Sequence, residues 1–199
     1  MPYLGERVAV SLHLPPPLER DLDVRVAPRR VSLWDGEELI ASASPTSMRI
    51  APPAQPPSAA VAAAEGRYPG HAAHPFPSCF VCGVTREDEG LMLTPGRVTG
   101  QADTVACTWT PAGTVPEEIV WSVLDCPGGW TGDPVKQPAV LTWMTARIRR
   151  LPEPGDRLTV VGRLVERRPR TMITTTALYG RPARAPLASS ACIWTRLET

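Results

Sequence analysis

The stretch TVPEEIVWSVLDCPGGW, residues 114–130, decides how the chain is read, because it is the one substantial helix expected among strands. Thr114 followed three residues later by Glu117 has the spacing of a capping box, and Pro116 falls in a first turn that needs no N–H there. Ile119, Val120, Val123 and Leu124 recur at helical spacing, and Pro127-Gly128-Gly129 is expected to stop or sharply bend the helix. About 12 residues make a helix roughly 18 Å long, enough for a sheet to wrap. One acid, Asp125, stands inside the apolar run. A carboxylate near a helix C-terminus opposes the dipole, and partial burial adds to that cost, so the position predicts a raised pKa suited to a general base. The other reading of the same residue is a cap or hydrogen-bond acceptor for the Pro-Gly-Gly turn.

Around the helix the chain reads as strand. Residues 140–151, 156–166, 171–179 and 187–197 follow it, rich in β-branched runs such as MITTT. Residues 90–93 and 104–109 precede it, after a charged loop at 85–89. Nearer the start, 8–14 and 22–26 are strand candidates, and 31–34 with 39–43 form a hairpin about Asp35-Gly36. Between these groups lies a proline- and alanine-rich stretch. It predicts a linker of polyproline character with a short helix at 58–65 capped by Ser58. The division is therefore residues 1–46, a linker at 47–77, and a main unit at 78–199.

A weak internal repeat joins the two ends. VSLHLPPP at 10–17, followed by Leu22-Asp23-Val24, resembles RIRRLPEP at 147–154, followed by Leu158-Thr159-Val160. Leu39-Ile40-Ala41-Ser42 echoes Pro186-Leu187-Ala188-Ser189. Residues 8–44 thus read as the second half of the unit at 79–199, without its opening strand and its helix.

Bulk properties exclude several classes. A net charge of +1 gives no electrostatic basis for nucleic-acid binding, and no apolar run is long enough to span a bilayer. Five cysteines are an odd number for a disulfide framework, and the first ten residues lack a secretory pattern, so a cytoplasmic location is expected.

The fold class expected is α+β, an antiparallel sheet wrapped around one central helix. In this the chain resembles the hotdog superfamily of acyl-CoA thioesterases and dehydratases. Cys79-Phe80-Val81-Cys82-Gly83 with Gly90-Leu91 resembles the opening of small thioesterase-like hotdog proteins. Val123-Leu124-Asp125 with Gly129 resembles their central helix, and Pro152-Glu153-Pro154-Gly155-Asp156 the hairpin after it. With the repeat, the whole chain resembles a double-hotdog thioesterase of the acyl-CoA thioesterase II kind, shortened at its N-terminus. The resemblance implies hydrolysis of an acyl-CoA-type thioester, with Asp125 as base or nucleophile and Thr142 and Cys192 as polar helpers. It also implies Trp121, Gly129 and Arg147 as substrate contacts, no cofactor, and a homodimer. The family's His-Gly-Gly, which aims a backbone N–H at the thioester oxygen, is replaced here by Pro116-Glu117-Glu118. A non-catalytic acyl-thioester-binding or subunit-pairing module is therefore the alternative.

Two clusters admit rival readings. His71, His74, Cys79 and Cys82 offer a zinc set, since Cys-x-x-Cys has metal spacing, which Cys107 or Cys126 could complete only through tertiary structure. The same cysteines also suit small core positions, and no metal is expected. Arg147, Arg149 and Arg150, with Arg163, Arg167, Arg168 and Arg170, suit either a coenzyme A phosphate or a solvated outer sheet face.

Overall fold

Period-two alternation carries ten strands into one antiparallel sheet in the computed structural model, which describes residues 7–86, 89–181 and 185–197. Glu87 and Asp88, part of the expected charged loop, lie outside the described residues. The strands are β1 (Val8–Leu12), β2 (Asp23–Ala27), β3 (Arg30–Asp35), β4 (Glu38–Pro45), β5 (Gly96–Arg97), β6 (Thr104–Trp109), β7 (Ala139–Ile148), β8 (Leu158–Arg167), β9 (Thr171–Tyr179) and β10 (Ala188–Arg196). Their order across the sheet is β2-β3-β4-β1-β7-β10-β9-β8-β6-β5. On either side of the central β1–β7 pair the chain follows the same path, β1-β4-β3-β2 on one side and β7-β10-β9-β8 on the other. The seam itself pairs Ala9 with Thr145, Val10 with Met144 and Ser11 with Trp143. The sequence repeat is thus a structural repeat, and among the described residues its first copy shows no strand equivalent to β6 and no helix of its own.

The central helix, α2 (Glu117–Gly129), packs on the face made by β7 to β10. Val120, Val123 and Leu124 are fully buried there with Val160, Leu178 and Cys192. Its ends differ from expectation. Pro116 is the N-cap, with extended backbone and no side-chain cap bond, so the Thr114–Glu117 capping box does not form. The reason is Val115. It is buried in the same core as Val120, the positions before the cap and four beyond it that make a hydrophobic staple, while Thr114 is left in solvent. At the other end the helix runs through Pro127 instead of stopping. Proline costs the bond to the Val123 carbonyl. What offsets this is close contact: a Cβ at Gly128 would come within 2.6 Å of Thr174 Oγ1, and one at Gly129 within 3.0 Å of Trp194. The two glycines let the last turn lie almost on the sheet, which is why it persists.

Two further expectations are corrected. Residues 90–93 are not a strand; they form a loop pinned by Leu91 N to Phe80 O and Leu93 N to Val81 O, both 2.8 Å. Pro152 to Asp156 is not a hairpin, because β7 and β8 are separated by β10 and β9. It is a crossover turn, with Gly155 at φ 81° and Asp156 Oδ2 accepting from Glu153 N at 2.9 Å.

Residues 47–66 lie against the sheet face opposite α2. Tyr179 Oη donates to Pro53 O at 2.6 Å, and Gln55 Nε2 to Thr159 Oγ1 at 3.2 Å. In α1 (Ser58–Glu65), Val61 and Ala64 pack on Val98 and Ala106, while Glu65 accepts from both the N–H and the hydroxyl of Thr108 at 2.8 Å. Pro57, not Ser58, caps this helix. The chain then returns to the helix side, where Tyr68, Val81 and Cys82 join the core beside Trp130.

The approach of α2 to β8 is equally tight, since a Cβ on Gly162 would be driven into the Pro127 carbonyl. Gly162→Ala should cost about 1–3 kcal/mol, read as a lower urea midpoint with an unchanged m-value.

Candidate functional site

Asp125 lies on the flank of α2 that faces the β1–β7 seam. There a cleft of about 200 Å³ is lined by Val10 and Leu12 from β1, Trp121, Ser122 and Asp125 from α2, and Leu141 and Met144 from β7. The walls are mostly apolar, with Ser122 and Asp125 as their polar members. The residue as a whole is half-buried, but Asp125 Oδ1 is shielded from solvent and accepts no hydrogen bond among the described residues. Burial above all, with negative charge on Cys79 adding to it, pushes the carboxyl up to about 7. A carboxyl in that range shares its proton readily near neutrality, which is what a general base requires. No Pro-Gly-Gly turn claims it: Thr131, not Asp125, bonds the helix end, its hydroxyl donating to Gly128 O at 2.7 Å.

Of the site residues expected from the sequence, the structure brings Asp125 and Trp121 together in the cleft. Cys192 is buried on the inner face of β10, near enough to Asp125 to feel its charge. Thr142 is elsewhere. It sits at the bulge of β7, its hydroxyl donating to Ile193 O at 3.2 Å and lying 2.9 Å from Thr195 Oγ1. Thr195 alternates with the inward Trp194, so this pair is on the outer face. Arg147 pairs opposite Ser189 on that same outer face and is exposed. Gly129 packs against Trp194 instead of opening on the cleft.

The cleft also contains residues that sequence reasoning did not select. Val10 and Leu12 show period-two spacing, which marks an inward face, but nothing local says that β1 pairs with β7. Beneath the helix, Thr174 Oγ1, Thr176 Oγ1 and Trp194 Nε1 are buried without a hydrogen-bond partner among the described residues. They form a polar lining on β9 and β10 that the apolar pattern of the helix conceals.

One residue past the acid, the Sγ atom of Cys126 meets those of Cys79 and Cys82, all within 4.8 Å of one another. These three are the side chains that could hold a metal. His71 is exposed, and both nitrogens of His74 are engaged by backbone: Nε2 with Cys82 O at 3.0 Å, Nδ1 accepting from Phe76 N at 2.9 Å.

One antiparallel sheet wrapped around one helix, with strand order β7-β10-β9-β8-β6, is the hotdog fold, here preceded by a first copy that shows no helix of its own among the described residues. No family model matches the chain, and no curated protein sequence matches it. Among solved structures, the tesB protein of Mycobacterium avium subspecies paratuberculosis matches with a TM-score of 0.59 at 10% identity, over 97% of this chain and 78% of its own. That match extends the shared fold across both copies. A Streptococcus mutans protein bound to acetyl-CoA matches 51% of this chain and 87% of its own, at 15% identity and a TM-score of 0.46. The PaaI protein of the Escherichia coli phenylacetic acid degradation operon matches 49% and 75%, at 15% identity and a TM-score of 0.44.

A carboxyl oxygen shielded from water, with no partner among the described residues, is a local destabilisation. Asp125→Asn should stabilise the fold by about 0.5–2 kcal/mol, measured by urea denaturation in mildly alkaline buffer. An unchanged or lower midpoint would mean that the carboxylate is better solvated than its surroundings indicate.

Proposed function

We propose that the protein is an acyl-thioester hydrolase of the acyl-CoA thioesterase type. The observation that carries this reading is the unpartnered, buried Oδ1 of Asp125 at the wall of an apolar cleft. An acyl chain fits the Val10, Leu12, Leu141 and Met144 lining, which places the thioester carbonyl near the carboxylate. Asp125 then either takes a proton from the attacking water or attacks the carbonyl carbon itself. In the first route the water oxygen bonds the carbonyl carbon as the C–S bond breaks, and the proton held by Asp125 passes to the departing thiolate. In the second the C–S bond breaks to leave an acyl–Asp125 anhydride, which a water then hydrolyses, its oxygen going to one of the two carboxyl groups and a proton to the thiolate. Among the described residues no helix opposes α2 across the seam, and the first copy supplies cleft wall through β1.

Asp125→Asn should lower kcat toward acyl-CoA esters about 10²- to 10⁴-fold while the protein stays folded. Turnover that survives the substitution would remove Asp125 from the chemistry.

A second reading, a non-catalytic acyl-thioester-binding module, is favoured by one feature. The start of α2 carries the solvent-exposed carboxylates Glu117 and Glu118 where an oxyanion would need donors. Saturable binding of acyl-CoA in calorimetry with no turnover would establish it; no binding would count against both readings.

The homodimer belongs to the same proposal. Strand register puts Val10, Leu12, Val24, Val26, Val31 and Leu33 on one face of the first copy; Val10 and Leu12 border the cleft with α2, and among the described residues no helix packs on the β2–β3 part of that face. Val24 is 63% exposed and Val26 70%. β2 is also a sheet edge, and a second copy of the chain would cover both. Val26→Asp should convert a dimer to a monomer in sedimentation analysis; a wild-type chain that sediments as a monomer would overturn the dimer. All five cysteines are free, which supports a reducing, cytoplasmic setting.

A further inference from the structure

We propose that Cys79, Cys82 and Cys126 form a three-thiolate site for a zinc-class cation, with its fourth position open to the small cavity beside His74. Thiolates at the corners of a tetrahedron with bonds of about 2.3 Å lie about 3.8 Å apart. Cys79 Sγ lies 3.5 Å from Cys126 Sγ and 3.7 Å from Cys82 Sγ, and all three are mutually within 4.8 Å. One ion can therefore touch all three with little movement of the backbone.

The surroundings are those of a built site. Cys79-Phe80-Val81-Cys82-Gly83 folds as a tight knuckle, with Gly83 N donating to Cys79 O at 2.8 Å. Gly83 is required there, since a Cβ would lie 2.6 Å from Cys79 N and 2.5 Å from Pro77 O. Two donors, Tyr68 Oη at 2.8 Å and His74 Nε2 at 3.0 Å, hold the Cys82 carbonyl, and the Phe76 N–H bond to Nδ1 fixes the histidine tautomer. The Trp130 indole N–H donates to Cys82 Sγ at 3.3 Å, the kind of outer contact that orients a ligating sulfur. Cys107 and Cys192, the most deeply buried thiols, fill core positions and stand apart from this cluster, so packing alone does not account for the convergence. A cavity of about 50 Å³, lined by His74, Phe76, Trp130 and Trp194 with the three cysteines, leaves room at the fourth position for water or a small ligand. An all-sulfur donor set favours zinc and other soft d¹⁰ ions over hard cations.

The test uses the full chain, reduced and stripped of metal, with Co²⁺ as the spectroscopic probe. The expected result is tetrahedral, sulfur-ligated Co²⁺ at about one ion per chain, displaced by Zn²⁺. The bands should be lost in Cys126→Ser and retained in Cys192→Ser. A second measurement on the wild-type chain does not depend on any variant folding: Zn²⁺ should protect Cys79, Cys82 and Cys126 from alkylation, read peptide by peptide, and leave Cys107 and Cys192 unchanged. Absence of bands while all five thiols are reduced would overturn the proposal. So would bands that persist in Cys126→Ser, uniform alkylation with and without Zn²⁺, or isolation of the chain with Cys79 in a disulfide to Cys82 or Cys126.

Discussion

The structure depends on how closely α2 approaches the sheet. Gly128 and Gly129 on the helix, and Gly162 on β8, remove the side chains that would hold the two layers apart. Thr174 and Trp194 fill the space so gained, and the Pro127 carbonyl sits directly over Gly162. Drawn down onto β8, β9 and β10, the helix carries its acid into the apolar seam, where burial raises the pKa to about 7. The close contact and the perturbed carboxyl are two results of one packing decision.

The same contact explains what the sequence disclosed and what it hid. Apolar periodicity placed α2 and nearly every strand, because those elements each bury one face and the period survives in the residues. The repeat in the Leu-Pro and Leu-Ala-Ser segments foretold that β1 to β4 trace the path of β7 to β10. Local turn chemistry misled at both helix ends. Thr114 has capping chemistry, but burying Val115 carries it out into solvent. Pro127-Gly128-Gly129 has stop chemistry, but tertiary contact makes the glycines a packing surface. Asp125 was legible as a lone acid on an apolar stripe. Its cleft was not, since Val10 and Leu12 reach it only through a β1–β7 pairing more than 130 residues apart in sequence. Thr142 was drawn in by resemblance, whereas the bulge in β7 turns its hydroxyl to Thr195 on the outer face.

The two copies of the fold are unequal, and the inequality shapes the cleft. The second copy is a finished layer pair, with a helix, a covered sheet face and a buried polar underlay. The first is a bare four-stranded sheet with valines and leucines on its inward face. Joined through β1 and β7, it contributes an apolar wall opposite the helix. The acyl chain of the proposed substrate suits such a wall, because it demands area without directional bonds. In the proposed hydrolysis the reacting end is served, among the described residues, by Asp125 of α2.

Asp125 and Cys126 are consecutive, so on a helix of 3.6 residues per turn their side chains diverge by about 100°. One points to the seam with β1 and the other to the knuckle at Cys79 and Cys82. Any rotation of α2 about its axis that moves Cys126 away from its sulfur neighbours also swings the carboxylate off the cleft wall. The Trp130 indole, bonded to Cys82 Sγ one turn further on, opposes the same rotation. The knuckle therefore fixes the azimuth of the helix at the point where it presents its acid. Proline at 127 makes that restraint necessary: with the bond to the Val123 carbonyl lost, the final turn is held in register by tertiary contacts in place of its own ladder.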